Sequence, residues 1–116
     1  MLLNLSNHPS VNWPKEQLTA AIGKYNSVED LAFPKINPEW DSDDVEKLVE
    51  EYEIKVRKID PTAVHIMGEM TFTFRLVNKL KAVGYSCVAS TTERIAHEDE
   101  QGNKLSSFRF VHFRQY

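Results

Sequence analysis

Three short stretches of the 116-residue chain collect side chains able to bind or transform a ligand. The first, Ser6-Asn7-His8-Pro9-Ser10, places two hydroxyls, an amide and an imidazole in one loop. Ser6, Asn7 and Ser10 carry donors and acceptors for a phosphate or a base edge, and His8 can donate to phosphate or exchange a proton near neutral pH. The second, Gly68-Glu69-Met70-Thr71-Phe72-Thr73, sets a glycine ahead of two threonines at a helix start. There Thr71 and Thr73, with the free amides of the first turn, suit an anion, although Thr71 serves equally as the helix N-cap. Glu69 reads either as a general base or as a carboxylate that favours the helix dipole. The third, Ser90-Thr91-Thr92-Glu93-Arg94, adds the hydroxyls of Thr91 and Thr92 and the forked guanidinium of Arg94, which matches a phosphate bidentately. An ion pair of Arg94 with Glu93 or Glu98 is the alternative.

Other reactive residue types read as structural. His65 lies between apolar residues and is expected to be a satisfied interior histidine, with a catalytic role the alternative, and Cys87, inside an apolar run, a buried thiol. The acidic run Asp41 to Asp44 suits a helix cap and a solvated face better than a metal site. There is no zinc spacing, no Walker loop, no dinucleotide glycine pattern and no nucleophile elbow, so neither a metal nor a cofactor is expected. What remains is ligand binding, or metal-independent transfer on a phosphodiester in which positioned donors stabilise charge while a ribose hydroxyl attacks in line.

The elements that must position these stretches follow from periodicity. Leu2 to Leu5 suits a short buried strand that stops at the first polar loop. A helix opens at Pro14, with Leu18, Ala21, Ile22 and Tyr25 on its apolar face, and Val28 to Phe33 is the second strand. Asp41 to Asp44 cap a second helix with a stripe from Val45 to Ile59, broken by Asp60-Pro61. Thr62 to Met67 reads as a strand covered on both faces. A third helix then buries Phe72, Leu76, Val77, Leu80 and Val83 before Gly84, and Tyr85 to Ala89 is the fourth strand. Arg94 to His97 and Leu105 to Gln115 flank a turn-rich insert and predict an antiparallel hairpin. The whole is a single α/β domain, residues 1–116, with a mostly parallel, Rossmann-like sheet, helices on both faces and a C-terminal hairpin. Ligands gather at the carboxyl ends of such strands, which brings the first two loops face to face and makes the third a further wall.

Bulk properties narrow the ligand. With 41% apolar residues the chain can build one modest core. A formal charge of -3 argues against binding duplex nucleic acid, whereas a short anionic ligand needs only a few cations. One cysteine fits a reducing compartment, and the apolar N-terminal run is too short for a signal peptide or membrane span, so a cytoplasmic protein is expected.

The segments NLSNHPS, HIMGEMTFTF, ASTTER and FRFVHFRQY together resemble small stand-alone CRISPR-associated proteins built of little more than a CARF domain, the Rossmann-like sensor of cyclic oligoadenylates. The resemblance implies a homodimer with a cyclic tetra- or hexa-adenylate over its dyad. It also implies, for ring-nuclease members, metal-free cleavage by a 2'-hydroxyl in antiviral signalling. By position, Ser6, Asn7, His8 and Ser10 match the first binding loop and Gly68, Glu69, Thr71 and Thr73 the second. His8, Glu69 and Arg94 are then the expected catalytic groups, with Thr91 and Thr92 as ligand contacts. The double glycine and lysine after a late strand of many CARF domains are missing. A non-catalytic sensor acting through a partner, or a small-metabolite protein, are the alternatives.

Overall fold

The computed structural model describes residues 1–116. It is an α/β structure around a five-stranded mixed sheet. Strand β1 (Leu2–Ser6) leads through a 3₁₀ turn at Ser10–Asn12 into α1 (Lys15–Tyr25) and then β2 (Val28–Asp30). Helix α2 (Ser42–Ile59), β3 (Ala63–Met67), α3 (Met70–Ala82), β4 (Ser86–Glu98) and β5 (Lys104–Gln115) complete the chain. The order across the sheet is β2-β1-β3-β4-β5, with parallel pairing except between β4 and β5.

Local chemistry accounts for the boundaries. Asp41 and Asp44 form a reciprocal capping box at α2, so the acidic run is spent on the helix start. Asp60 stops α2 in the left-handed conformation just ahead of Pro61. Strand β2 is shorter than its apolar run suggested: the Leu31 amide still donates to the Asn4 carbonyl at 2.9 Å, and Phe33 beyond it packs against the core. Ile22 and Val83, expected on inner faces, are exposed.

Successive crossovers run in opposite directions from β1, and right-handed connections then put their helices on opposite faces. Accordingly α1 covers one face with Ala21 and Tyr25 over Leu2, Ala63 and Val88. Helices α2 and α3 cover the other, where Val49, Val56, Phe72, Leu76 and Leu80 close over Leu3, Leu5, Val64 and Ile66. No helix is long and apolar enough to cross a membrane.

One expectation needs correction. The stretch Ser90 to Arg94 is not a loop after a short fourth strand but the middle of a 13-residue strand. The antiparallel partner β5 pairs from Glu98↔Lys104 down to Val88↔Gln115, with a bulge between Ser90 and Thr92. The ribbon projects past the sheet and stretches the molecule to a radius of gyration of 16.2 Å, against about 13 Å for a compact chain of this length.

Candidate functional site

Pleating sends alternate residues of a strand to opposite faces. On β1 this puts Leu2, Asn4 and Ser6 toward α1, and parallel register sets Asn4 directly beside His65 of β3. The α1 face is thus apolar at the amino ends of its strands and polar at their carboxyl ends. Helix α1 packs Ala21 and Tyr25 over the apolar part, and Gln17 in its first turn borders the polar part.

Asn4 organises that polar end and is almost fully buried. Its Nδ2 donates to Asp30 Oδ1 and to the His8 carbonyl, both at 2.8 Å. Its Oδ1 must therefore be the acceptor for Ser6 Oγ at 2.8 Å and for His65 Nδ1 at 2.9 Å. An acceptor opposite Nδ1 fixes the hydrogen on that nitrogen and leaves Nε2 a bare acceptor in the neutral ring. Nε2 is buried without any partner. Trp13 and Phe113 hold the ring edge-to-face at 5.2 and 5.7 Å. Burial, with repulsion from nearby His8, pushes the His65 pKa down to about 4, so the lone pair is free at neutral pH. Burial alone would raise the Asp30 carboxyl, but hydrogen bonds from Asn4 and Ser10 outweigh it and hold the group below its usual range.

Above this floor lies a cleft of about 410 Å³ between the β1 loop, the end of β3 and the base of the ribbon. Trp13, Phe108 and Phe110 give it aromatic walls, and Asn7, His8 and Thr92 add polar groups. Neither lysine nor arginine lines it.

Of the residues expected from sequence, the structure gathers Ser6, Asn7, His8, Gly68 and Thr92 at this cleft. The His8 carbonyl also accepts from Trp13 Nε1 at 3.0 Å, which ties the loop to the aromatic wall while leaving the imidazole exposed. Ser10 turns away, giving both its amide and its hydroxyl to Asp30 at 3.0 and 2.8 Å.

The second loop departs further from expectation. The N-cap of α3 is Glu69, not Thr71: its carboxylate accepts from the Thr71 and Phe72 amides at 2.9 Å and from the Thr71 hydroxyl. Burial would raise this carboxyl, yet those three donors outweigh it and lower the pKa, which suits a cap and opposes a neutral-pH base. The anion cradle is filled by the chain's own carboxylate. Thr73 faces a separate, more apolar hollow beside Met67, Met70 and Phe74. Gly68 has no room for a side chain, since a Cβ there would lie 2.3 Å from the Phe33 ring.

On the ribbon, the bulge leaves Thr91 opposite His112, where its Oγ1 replaces ladder bonds by donating to the carbonyl at 3.1 Å and accepting from the amide at 3.3 Å. Arg94 points along the strand and donates to Ser106 Oγ at 3.0 Å. Glu93 pairs with Arg109 instead of Arg94. Thr91 and Arg94 thus stand outside the cleft, while Trp13, Phe108 and Phe110 line it without having been singled out, and His65, expected to be a satisfied interior histidine, lines it with Nε2 unpartnered. The available signal was alternation: LLNLS and AVHIM each carry a polar side chain at the same parity of the strand.

Neither a curated protein nor a solved structure matches the chain. Its match to the family described as Uncharacterized protein MJ1673 family spans residues 1–114, and the chain belongs to that family.

Proposed function

We propose that this chain binds a cyclic oligoadenylate at the β1/β3 cleft and cleaves it without a metal ion, through attack of a ribose 2'-hydroxyl on the adjacent phosphate that breaks the P–O5' bond, releases the 5'-oxygen as a hydroxyl and leaves a 2',3'-cyclic phosphate. The observation that carries this reading is the cleft itself: an aromatic-walled hollow of about 410 Å³ at the carboxyl ends of the strands where the order reverses. Open α/β sheets take ligands at that point, and the volume is in the usual range for small-molecule pockets. Trp13, Phe108 and Phe110 offer apolar surface for a purine, and Asn7 and Thr92 offer hydrogen bonds to its edge or ribose.

One adenosine unit fills the cleft, so a ring of four or six engages more than one chain, and the working unit is a homodimer. The phosphates stay at the mouth, where the exposed His8 can donate to developing charge. The strand order supports a Rossmann-like, CARF-type fold, and the unpaired Cys87 agrees with work in the cytoplasm. The lack of lysine and arginine in the cleft favours, as a second reading, a sensor that holds the ring without cutting it.

Incubation with cyclic tetra- and hexa-adenylate in EDTA separates these. Linear products ending in a 2',3'-cyclic phosphate support cleavage; bound but intact rings support the sensor; rings that neither bind nor break remove both.

A further inference from the structure

We infer that His65 Nε2 is the specificity-determining acceptor of this site, selecting ligands that present an N–H or O–H donor to the floor of the cleft. This rests on the nucleotide reading for the identity of the ligand, but not for the state of the histidine.

Three observations converge on it. Nε2 is a polar atom without a partner in a side chain 2% exposed, and His65 lines the cleft. The Asp30–Asn4–His65 chain of hydrogen bonds, each at 2.8 to 2.9 Å, holds the other ring nitrogen as the donor, so Nε2 cannot rotate into that role. The rings of Trp13 and Phe113 pack edge-to-face on the imidazole. A buried acceptor left without a partner beside the cleft discriminates by what it is offered: a donor satisfies it, and a second acceptor leaves both lone pairs unpaired. The charged or titratable groups nearest the ring are His8, on the loop above, and Asp30, reached through Asn4. The low basicity of His65 keeps the acceptor available throughout the neutral range.

An adenosine unit has two suitable donors, the 6-amino group and the ribose 2'-hydroxyl. Asn4 acts through His65 and is a positioning residue.

Two measurements decide the inference. Nitrogen-15 NMR of the ligand-free protein, between about pH 5 and 8, reads the tautomer directly. A bare Nε2 and a protonated Nδ1 are expected, and a protonated Nε2 would overturn the inference whether or not any nucleotide binds. Asn4→Leu should release that tautomer preference, which a merely structural role for Asn4 would leave in place.

Calorimetry then compares cyclic oligoadenylate with its hypoxanthine and 2'-deoxy counterparts. Loss of about 10- to 100-fold in affinity is expected for the ring that lacks the donor in use: the hypoxanthine ring if it is the amine, the deoxy ring if it is the hydroxyl. In His65→Asn, which keeps the bond to Asn4 but offers nothing at Nε2, that discrimination should vanish. Wild-type protein that binds all three rings equally would overturn the assignment of His65 alone. Wild-type protein that binds none would sink the cyclic-nucleotide reading and leave the acceptor state to the NMR result.

Discussion

The two faces of the sheet share strands but not chemistry. On the α2/α3 face, Leu3, Leu5, Val64 and Ile66 meet two amphipathic helices and join a buried apolar cluster with Val49, Val56, Phe72, Leu76 and Leu80. On the α1 face the same strands present Asn4, Ser6 and His65, and the start of the covering helix, at Gln17, borders a cleft over them. One face supplies cohesion, with Thr73 Oγ1 of α3 its one buried polar atom lacking a partner, and the other keeps a connected polar network dry, ordered and, at His65 Nε2, unsatisfied. Function is placed where the sheet has given up packing, and the opposite face must hold the strands that carry it.

The largest effect should come from the cohesive face. Phe72 is fully buried and packs edge-to-face on Phe33 and Tyr52 at 5.2 and 5.5 Å. Phe72→Ala should cost about 3–5 kcal/mol of stability by urea unfolding. A loss below about 1 kcal/mol would mean that this face collapses around the cavity and is not the rigid partner described here.

The polar face should reveal itself through pH. His65 has a folded pKa near 4 against an ordinary value of 6.5. Because the folded pKa is depressed, the unfolded chain binds a proton first as pH falls, so stability is intact above about 6.5 and drains away down to about 4. The difference corresponds to about 3 kcal/mol. Asp30, also lowered, adds a loss in the same direction at more acid pH. Urea titrations at a series of pH values should show the decline in wild type and a flattened slope in His65→Asn; identical slopes would place the acid sensitivity elsewhere.

Much of this contrast was legible in the sequence, unevenly. The α2 stripe from Val45 to Ile59 and its Asp41–Asp44 cap are local signals, and the structure matches them as far as Val56, while Ile59 is exposed. The strand order and the meeting of the loops after the first and third strands followed from crossover rules that depend only on element order. His65 was harder, because a strand with apolar neighbours reads as uniformly buried, and burial alone does not reveal that Asn4 occupies one nitrogen and leaves the other open. Residues 90–94 misled for a different reason. Hydroxyls and charges look like a loop, but Thr residues are good strand formers, and β5 supplies a partner that extends pairing beyond the sheet.

A smaller effect tests the seam between the faces. Gly68 borders the cleft, yet its missing side chain serves the other face by admitting the Phe33 ring. Gly68→Ala should cost about 1–3 kcal/mol, with ligand affinity changed only as far as Phe33 displaces the loop. A variant of wild-type stability that had lost binding would reverse this assignment and make Gly68 a ligand-approach residue.

The smallest effect belongs to Arg94, and it bears on how far the functional face extends. Its side chain is exposed and bonded to Ser106 on the ribbon, and it does not line the cleft. Exposed contacts of this kind contribute little, so Arg94→Ala should alter stability by less than about 0.5 kcal/mol. If one chain forms the whole site, turnover should be equally indifferent, whereas His8→Ala should lower turnover more than affinity. A ring held by two chains changes that expectation, because a projecting ribbon can bring a guanidinium to a neighbouring cleft that its own cleft never meets. Loss of turnover in Arg94→Ala, restored when the variant is mixed with a His8→Ala chain, would show that the ribbon acts across a dimer. Equal activity of Arg94→Ala and wild type would confine the chemistry to the polar face of a single sheet.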